Sequence, residues 1–194
     1  MLVSLGDAGF VAAAERLGEP VLLITVEQEQ DLREEQLEDA WLLHLPGSSL
    51  FTEPARRAVE IVRRRNAMVA VDLAGSDAPA RDGAQLAFEL AKLRPDILLA
   101  TRRDAEALGV PLEGLSRLPV LLLGERGAEL FGRRVPAPPG AGANPSAFAA
   151  ALCSAYLDGA MPVEAAGRAM VYAAGIAENL PGSSQEGAGG PPVI

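Results

Sequence analysis

Residues 138–159 read PPGAGANPSAFAAALCSAYLDG, a glycine-rich turn that runs without a break into an alanine-rich helical pattern. Asn144 suits an N-cap, Pro145 suits the first helical position, and Phe148, Leu152 and Tyr156 recur at i, i+4 and i+8 as one buried stripe. Gly140, Ala141 and Gly142 set flexible backbone directly ahead of that helix start. Unpaired N–H groups and the positive end of the helix dipole converge there, which stabilises an anion. A tight structural loop uses the same residues, and so short a motif does not by itself separate the two readings.

Beyond the helix, Pro162 to about Ala177 forms a second helical pattern with Met170, Ala173, Ala174 and Ala177 on its packed face. Upstream, from about Asp39, short apolar runs alternate with helical patterns. WLLHLPG (41–47) is followed by a helix capped by Thr52, with Glu53 and Pro54 in its first turn and Ala55, Val59 and Val62 on one face. MVAVDL (68–73) precedes a helix over 81–93, and DILLA (96–100) precedes a short one from Arg102 to Leu108, closed by Gly109 with Pro111 behind it. VLLLG (120–124) leads to a hairpin, AELF then RRVPA, turning at Gly132. This alternation predicts βαβ units, hence an α/β fold of three αβα layers around a mostly parallel sheet.

Composition narrows the function. A chain of 194 residues with 49% hydrophobic and 22% charged side chains is expected to form one core. We read 1–180 as a single α/β domain and the Gly/Pro-rich 181–194 as a flexible tail. Seventeen basic against twenty-six acidic residues give a net charge of −9, which argues against nucleic acid or an anionic membrane as partner. One cysteine and one histidine make neither an internal disulfide nor a His/Cys metal cluster, so zinc and haem are not expected. No apolar run approaches the roughly 20 residues of a membrane span, and MLVSLGDAGF lacks the basic flank of a signal peptide, so the expected address is the cytoplasm.

From about Asp39 to Glu178 the chain resembles the ribokinase-like, or PfkB, family of sugar and nucleoside kinases. EDAWLLHLPG (38–47) resembles the strand entering the family's sugar-binding half, and VAVDLAGSD (69–77) its "V-x-x-D-x-N" strand end. LRPDILLATRRDAEALG (93–109) is similar to the segment ending "D-x-x-x-x-N-x-x-E-A-x-x-L". PVLLLGERGAELF (119–131) is similar to "V-V-V-T-L-G-x-x-G-A". Residues 135–177 follow the signature "D-T-T-G-A-G-D-A-F-x-A-G" and its two helices. The resemblance implies a central parallel sheet, with ATP and Mg²⁺ used to phosphorylate a hydroxyl of a small sugar or nucleoside. It implies that Gly140, Ala141 and Gly142 hold phosphate charge. Gly124, Gly127, Thr101 and Asp104 would then lie at the nucleotide, with Asp104 the nearest match to a metal-placing carboxylate.

Three departures qualify that implication. Where the family has its catalytic Asp directly after GAG, this chain has Ala143, Asn144, Pro145 and Ser146, so no catalytic base is assigned there. Neither an amide nor a hydroxyl accepts a proton as a carboxylate does, and a positioned base is worth about 10²–10⁴ in rate. The Asn-x-x-Glu position reads Thr101, Arg102, Arg103, Asp104. The region before Asp39 is too short for the family's N-terminal half with its lid, and MLVSLGDAGFVAAAERLGEPVLLITV matches either a first βα unit or a lid hairpin.

The first expectation is therefore a catalytically degenerate module that binds a nucleotide, ATP or ADP, or another small phosphorylated ligand. Two alternatives stay open. One is an active kinase using a relocated carboxylate, Asp72 or Asp104. The other is an assembly protein that pairs with itself as a homodimer. Asp72 ends a strand, where ligands of parallel sheets are met, or else is a turn carboxylate. His44, inside an apolar strand, reads as a hydrogen-bonded core residue, and Cys153 as a small buried hydrophobe. The arginines at 56, 57, 63, 64 and 65 and the acidic run Glu34, Glu35, Glu38 and Asp39 read as solvated faces.

Overall fold

The computed structural model describes residues 1–25, 32–74, 78–139 and 144–178. The expected anion loop, Gly140, Ala141 and Gly142 with Ala143 after it, lies outside the described residues, as does the expected tail 181–194.

Four helices begin where the sequence supplies a cap. Asp7 starts α1 (Ala8–Arg16), Thr52 starts α2 (Glu53–Arg64), Thr101 starts α4 (Arg102–Leu108) and Asn144 starts α5 (Pro145–Leu157), each side chain accepting from a backbone N–H one turn on. α3 (Ala78–Leu93) is bent at Asp82, whose Oδ1 accepts from the Gln85 N–H at 3.0 Å and caps the second segment. α6 (Pro162–Glu178) closes the described chain.

The strands are β1 (Leu2–Leu5), β2 (Val21–Ile24), β3 (Leu42–Pro46), β4 (Met68–Asp72), β5 (Ile97–Thr101), β6 (Leu118–Leu122), β7 (Ala128–Leu130) and β8 (Arg133–Val135). All eight form one sheet in the order β2-β1-β3-β4-β5-β6-β7-β8. The first six in sequence run parallel, and β7 and β8 are antiparallel additions. Because β1 and β2 are parallel and joined through α1, the N-terminal segment is a βαβ unit and not a hairpin. The β7–β8 turn falls at Phe131 and Gly132, both with positive φ as a two-residue turn matching strand twist requires. Among the described residues every strand belongs to this sheet and no helix is long and apolar enough to cross a membrane.

Strand side chains alternate between the two faces, and both faces are buried, as in parallel α/β sheets. Leu2, Leu42, Ala70, Leu99 and Val120 pack under α1, α5 and α6. Val3, Leu43, Val71, Leu98 and Ala100 pack under α2, α3 and α4. Trp41, just before β3, is 67% exposed and contributes little to either layer.

Two of the α2 arginines pair with the acidic run. Arg64 pairs with Glu34 at 3.2 Å and Arg65 with Glu38 at 3.8 Å. Arg63 holds the buried Asp96 at 2.6 Å, and Asp96 also accepts from the Val69 backbone N–H. The α2 arginines are thus drawn into ion pairs with the chain's own carboxylates, which leaves less positive charge for a phosphate backbone.

α3 meets α4 so closely at Gly83 that a Cβ there would lie 1.9 Å from the Ala107 carbonyl oxygen. Gly83→Ala should therefore destabilise the protein by about 1–3 kcal/mol in urea unfolding. Gly114→Ala, where a Cβ meets nothing within 4 Å, should stay within about 0.5 kcal/mol of the parent.

Candidate functional site

A slot of about 90 Å³ opens between the turn after β6 and the pair α5 and α6. Gly124 and Gly127 form its rim, Phe148, Met170 and Ala173 its apolar wall, and Thr101 and Asn144 its polar corner. Gly127 has φ +98°, and a Cβ there would lie 2.0 Å from the Val135 carbonyl oxygen, so the turn closes only on glycine. The volume is well below the roughly 300–1,000 Å³ of sites that enclose a drug-sized ligand. Thr101, Gly124 and Gly127, singled out from sequence, thus meet at one cavity, and Asn144 and Pro145 of α5 join them.

Asp104 does not line that slot. Its Oδ2 accepts from the Thr101 N–H at 2.8 Å and from the Thr101 hydroxyl at 2.7 Å, closing a capping box on α4. Buried and doubly hydrogen-bonded, it offers little to a cation. Among the described residues no group of three or more His, Cys, Asp or Glu side chains could hold a metal ion.

At the start of α5, sequence reasoning found no acid. The structure supplies one from 139 residues away: the Ser146 hydroxyl donates to Asp7 Oδ2 at 3.3 Å. The other carboxylate oxygen, Oδ1, accepts from the Phe10 N–H at 2.9 Å and caps α1. The N-terminal ends of α1 and α5 therefore both face one carboxylate, a favourable arrangement for a negative charge. The local signal was present, a strand followed by Gly6-Asp7 and a helix, but nothing in it announces α5 as the neighbour.

Behind Asp7 lies a polar chain fixed by strand register. Ser4 of β1 is paired with His44 of β3, and His44 in turn with Ala70 of β4, two residues before Asp72. All three polar side chains point to the α1/α5 face, with Ser4 and His44 at 0% and Asp72 at 3% exposure. Ser4 Oγ lies 3.0 Å from His44 Nδ1 and donates to the Asp7 carbonyl at 3.4 Å. Phe10 stacks on the His44 ring at 3.9 Å. His44 Nε2 has no hydrogen-bond partner and lies 4.0 Å from Asp72 Oδ2. Despite its Ser-His-Asp composition this chain is no acyl-transfer triad, because a sealed Ser4 hydroxyl meets no substrate.

Asp72, a candidate substrate contact, is turned inward, its Oδ1 accepting from the Ala74 N–H at 2.8 Å. Burial pushes its carboxyl above the ordinary value, opposed by His44 and the Ala74 N–H and aided by the negative charge of Asp7. The thiol of Cys153, fully buried on α5, is also driven well up by burial, with the charge of Asp72 adding to the effect.

The raised Asp72 has a definite pH signature. In the unfolded chain it ionises near 3.8; in the folded chain it holds its proton to higher pH. Across that window the folded state binds the extra proton, so its contribution to stability falls as pH rises. Asp72→Asn keeps an acceptor for the Ala74 N–H and removes the ionisation. Its stability relative to the parent should be higher at about pH 8 than at about pH 5 in chemical denaturation. Equal effects at both values would exclude this account.

No family model matches the chain, and no curated protein sequence matches it. Solved structures do. A protein described as a probable sugar kinase from Rhizobium etli CFN 42 superposes with a TM-score of 0.64 at 16% identity, over 79% of this chain and 58% of its own. The chain thus spans less than two thirds of that protein. A PfkB protein from Polaromonas sp. JS666 gives 0.66 at 22% identity, over 92% of this chain and 79% of its own. An uncharacterized sugar kinase from Pyrococcus horikoshii in complex with ATP gives 0.57 at 16%, over 89% and 74%. With a mostly parallel sheet between two helical layers and these kinases as its structural neighbours, the chain has the ribokinase-like fold.

Proposed function

We propose that this chain binds an adenine nucleotide, with the base in the slot behind Gly124 and Gly127 and the phosphates directed to the start of α5. The observation that carries this reading is that one cavity is lined both by the apolar wall of Phe148, Met170 and Ala173 and by Asn144 and Pro145, the N-cap and first residue of a 13-residue helix. An apolar slot suits a flat base, and the positive end of a helix suits a phosphate. ATP in the Pyrococcus horikoshii structure is in keeping with this choice. The described carboxylates form no preassembled metal cage, so a magnesium ion would arrive on the nucleotide's own phosphates.

Asn144, Pro145 and Ser146 carry no carboxylate of their own, and the one that reaches this helix start, Asp7, is engaged by the Phe10 N–H and the Ser146 hydroxyl, which favours binding over rapid transfer. Of the relocated carboxylates suggested by sequence, Asp104 is engaged as a cap and Asp72 is buried against Ala74 and His44.

ADP or ATP at about 100 times its Kd should add roughly 2.7 kcal/mol of stability, or about 5–10 °C in Tm. Ala137→Leu, at a half-buried position on the slot's edge, should remove that shift while leaving the ligand-free Tm nearly unchanged. The absence of any shift at millimolar nucleotide would sink the reading.

A further inference from the structure

We propose that the gap between α2 and α3 binds a free apolar α-amino acid, with its side chain on the sheet and its ammonium and carboxylate held by opposite walls. The site lies on the face of the sheet covered by α2, α3 and α4. The nucleotide slot lies on the other face, under α5 and α6, and the two readings are independent.

The gap exists because each helix packs on a different neighbour. α3 packs on α4, where Gly83 lets the backbones approach, and α2 packs on the turn at Glu34–Leu37. Between α2 and α3 a cavity of about 260 Å³ opens, larger than the slot. Leu45 of β3, Leu50, Ala55, Val59 and Leu93 supply its apolar surface. Val59 and Leu93 are only half-buried, so apolar area stays in contact with water, and a ligand that covers it gains free energy.

The rim carries charges of both signs, and most of them are already engaged. Arg56 pairs with Glu53 at 2.9 Å, Arg63 holds Asp96 and the Arg94 carbonyl, and Glu89 accepts from the Gln85 amide at 3.2 Å. Glu60 of α2 and Lys92 of α3 have no such partner among the described residues. One anion and one cation therefore stand on opposite walls above an apolar floor. A fatty acid would satisfy Lys92 and bring its carboxylate beside Glu60; an alkylamine would do the reverse. A molecule with both charged groups on one carbon answers both walls, its ammonium donating to Glu60 and its carboxylate accepting from Lys92. A branched or aromatic side chain on that carbon then covers the floor.

The test is titration calorimetry on the full chain. L-leucine and L-phenylalanine are compared with glycine, which lacks the side chain, with 4-methylpentanoate, which lacks the ammonium, and with isopentylamine, which lacks the carboxylate. The expected result is binding of leucine and phenylalanine at millimolar concentration or below, weakened about 10–100-fold in each of the three comparators. Glu60→Gln and Lys92→Met, both at exposed positions, should leave the ligand-free Tm nearly unchanged and weaken leucine by a similar factor. Failure of both amino acids to bind overturns the proposal. So does leucine binding that survives both substitutions, or a comparator that binds as tightly as leucine. A chain that takes leucine but not ADP refutes the nucleotide reading and leaves this site standing.

Discussion

A parallel strand covered by helices on both faces gives a polar side chain no solvent to turn to. That constraint shapes this protein more than any single contact. Ser4, His44 and Asp72 sit on the same face of three adjacent strands, because Ser4 pairs with His44 and Asp72 lies two residues beyond Ala70, the partner of His44. Each must be satisfied by the others, by backbone, or not at all. Ser4 and His44 satisfy one another, Asp72 takes the Ala74 N–H, and His44 Nε2 is left over. The polar chain ends at the backbone of Asp7, so register inside the sheet helps decide where a carboxylate stands at its edge.

The start of α5 borders two features. On one side the glycine turn after β6, closed by Gly127 against Val135, gives a narrow apolar slot. On the other, α1 delivers Asp7. Neither feature needs the other to form, since the slot is built from β6, α5 and α6 and the carboxylate from β1 and α1. The ribokinase-like fold is shared with proteins of only 16–22% identity, so the architecture is set by burial pattern and connection order, which many sequences satisfy.

Much of the architecture was legible because its signals are local. Thr52, Thr101 and Asn144 announced helix starts, Gly109 a helix end, and Gly132 a hairpin. Residues 1–26 were read two ways because strands of four residues around a nine-residue helix leave too little pattern to show direction. The bend at Asp82 explains why the helical spacing began only near Arg81. Gly124 and Gly127, close together on one turn, were singled out and do line one cavity; Asp7 was not singled out, because its neighbour on α5 is 139 residues away. The arginines of α2 and the acids before β3 were read as solvated faces and are mostly exposed, but the two ion pairs between them appear only once β3 and α2 are packed.

Cys153 shows what that packing does to reactivity. The only thiol in the chain lies on the inner side of α5, sealed against the sheet, and burial holds it in the unreactive protonated form. An alkylating reagent can reach it only when α5 lifts away, so the labelling rate is a clock for the opening of that one helix. Because α5 also walls the slot, a ligand that fills the slot would slow the clock.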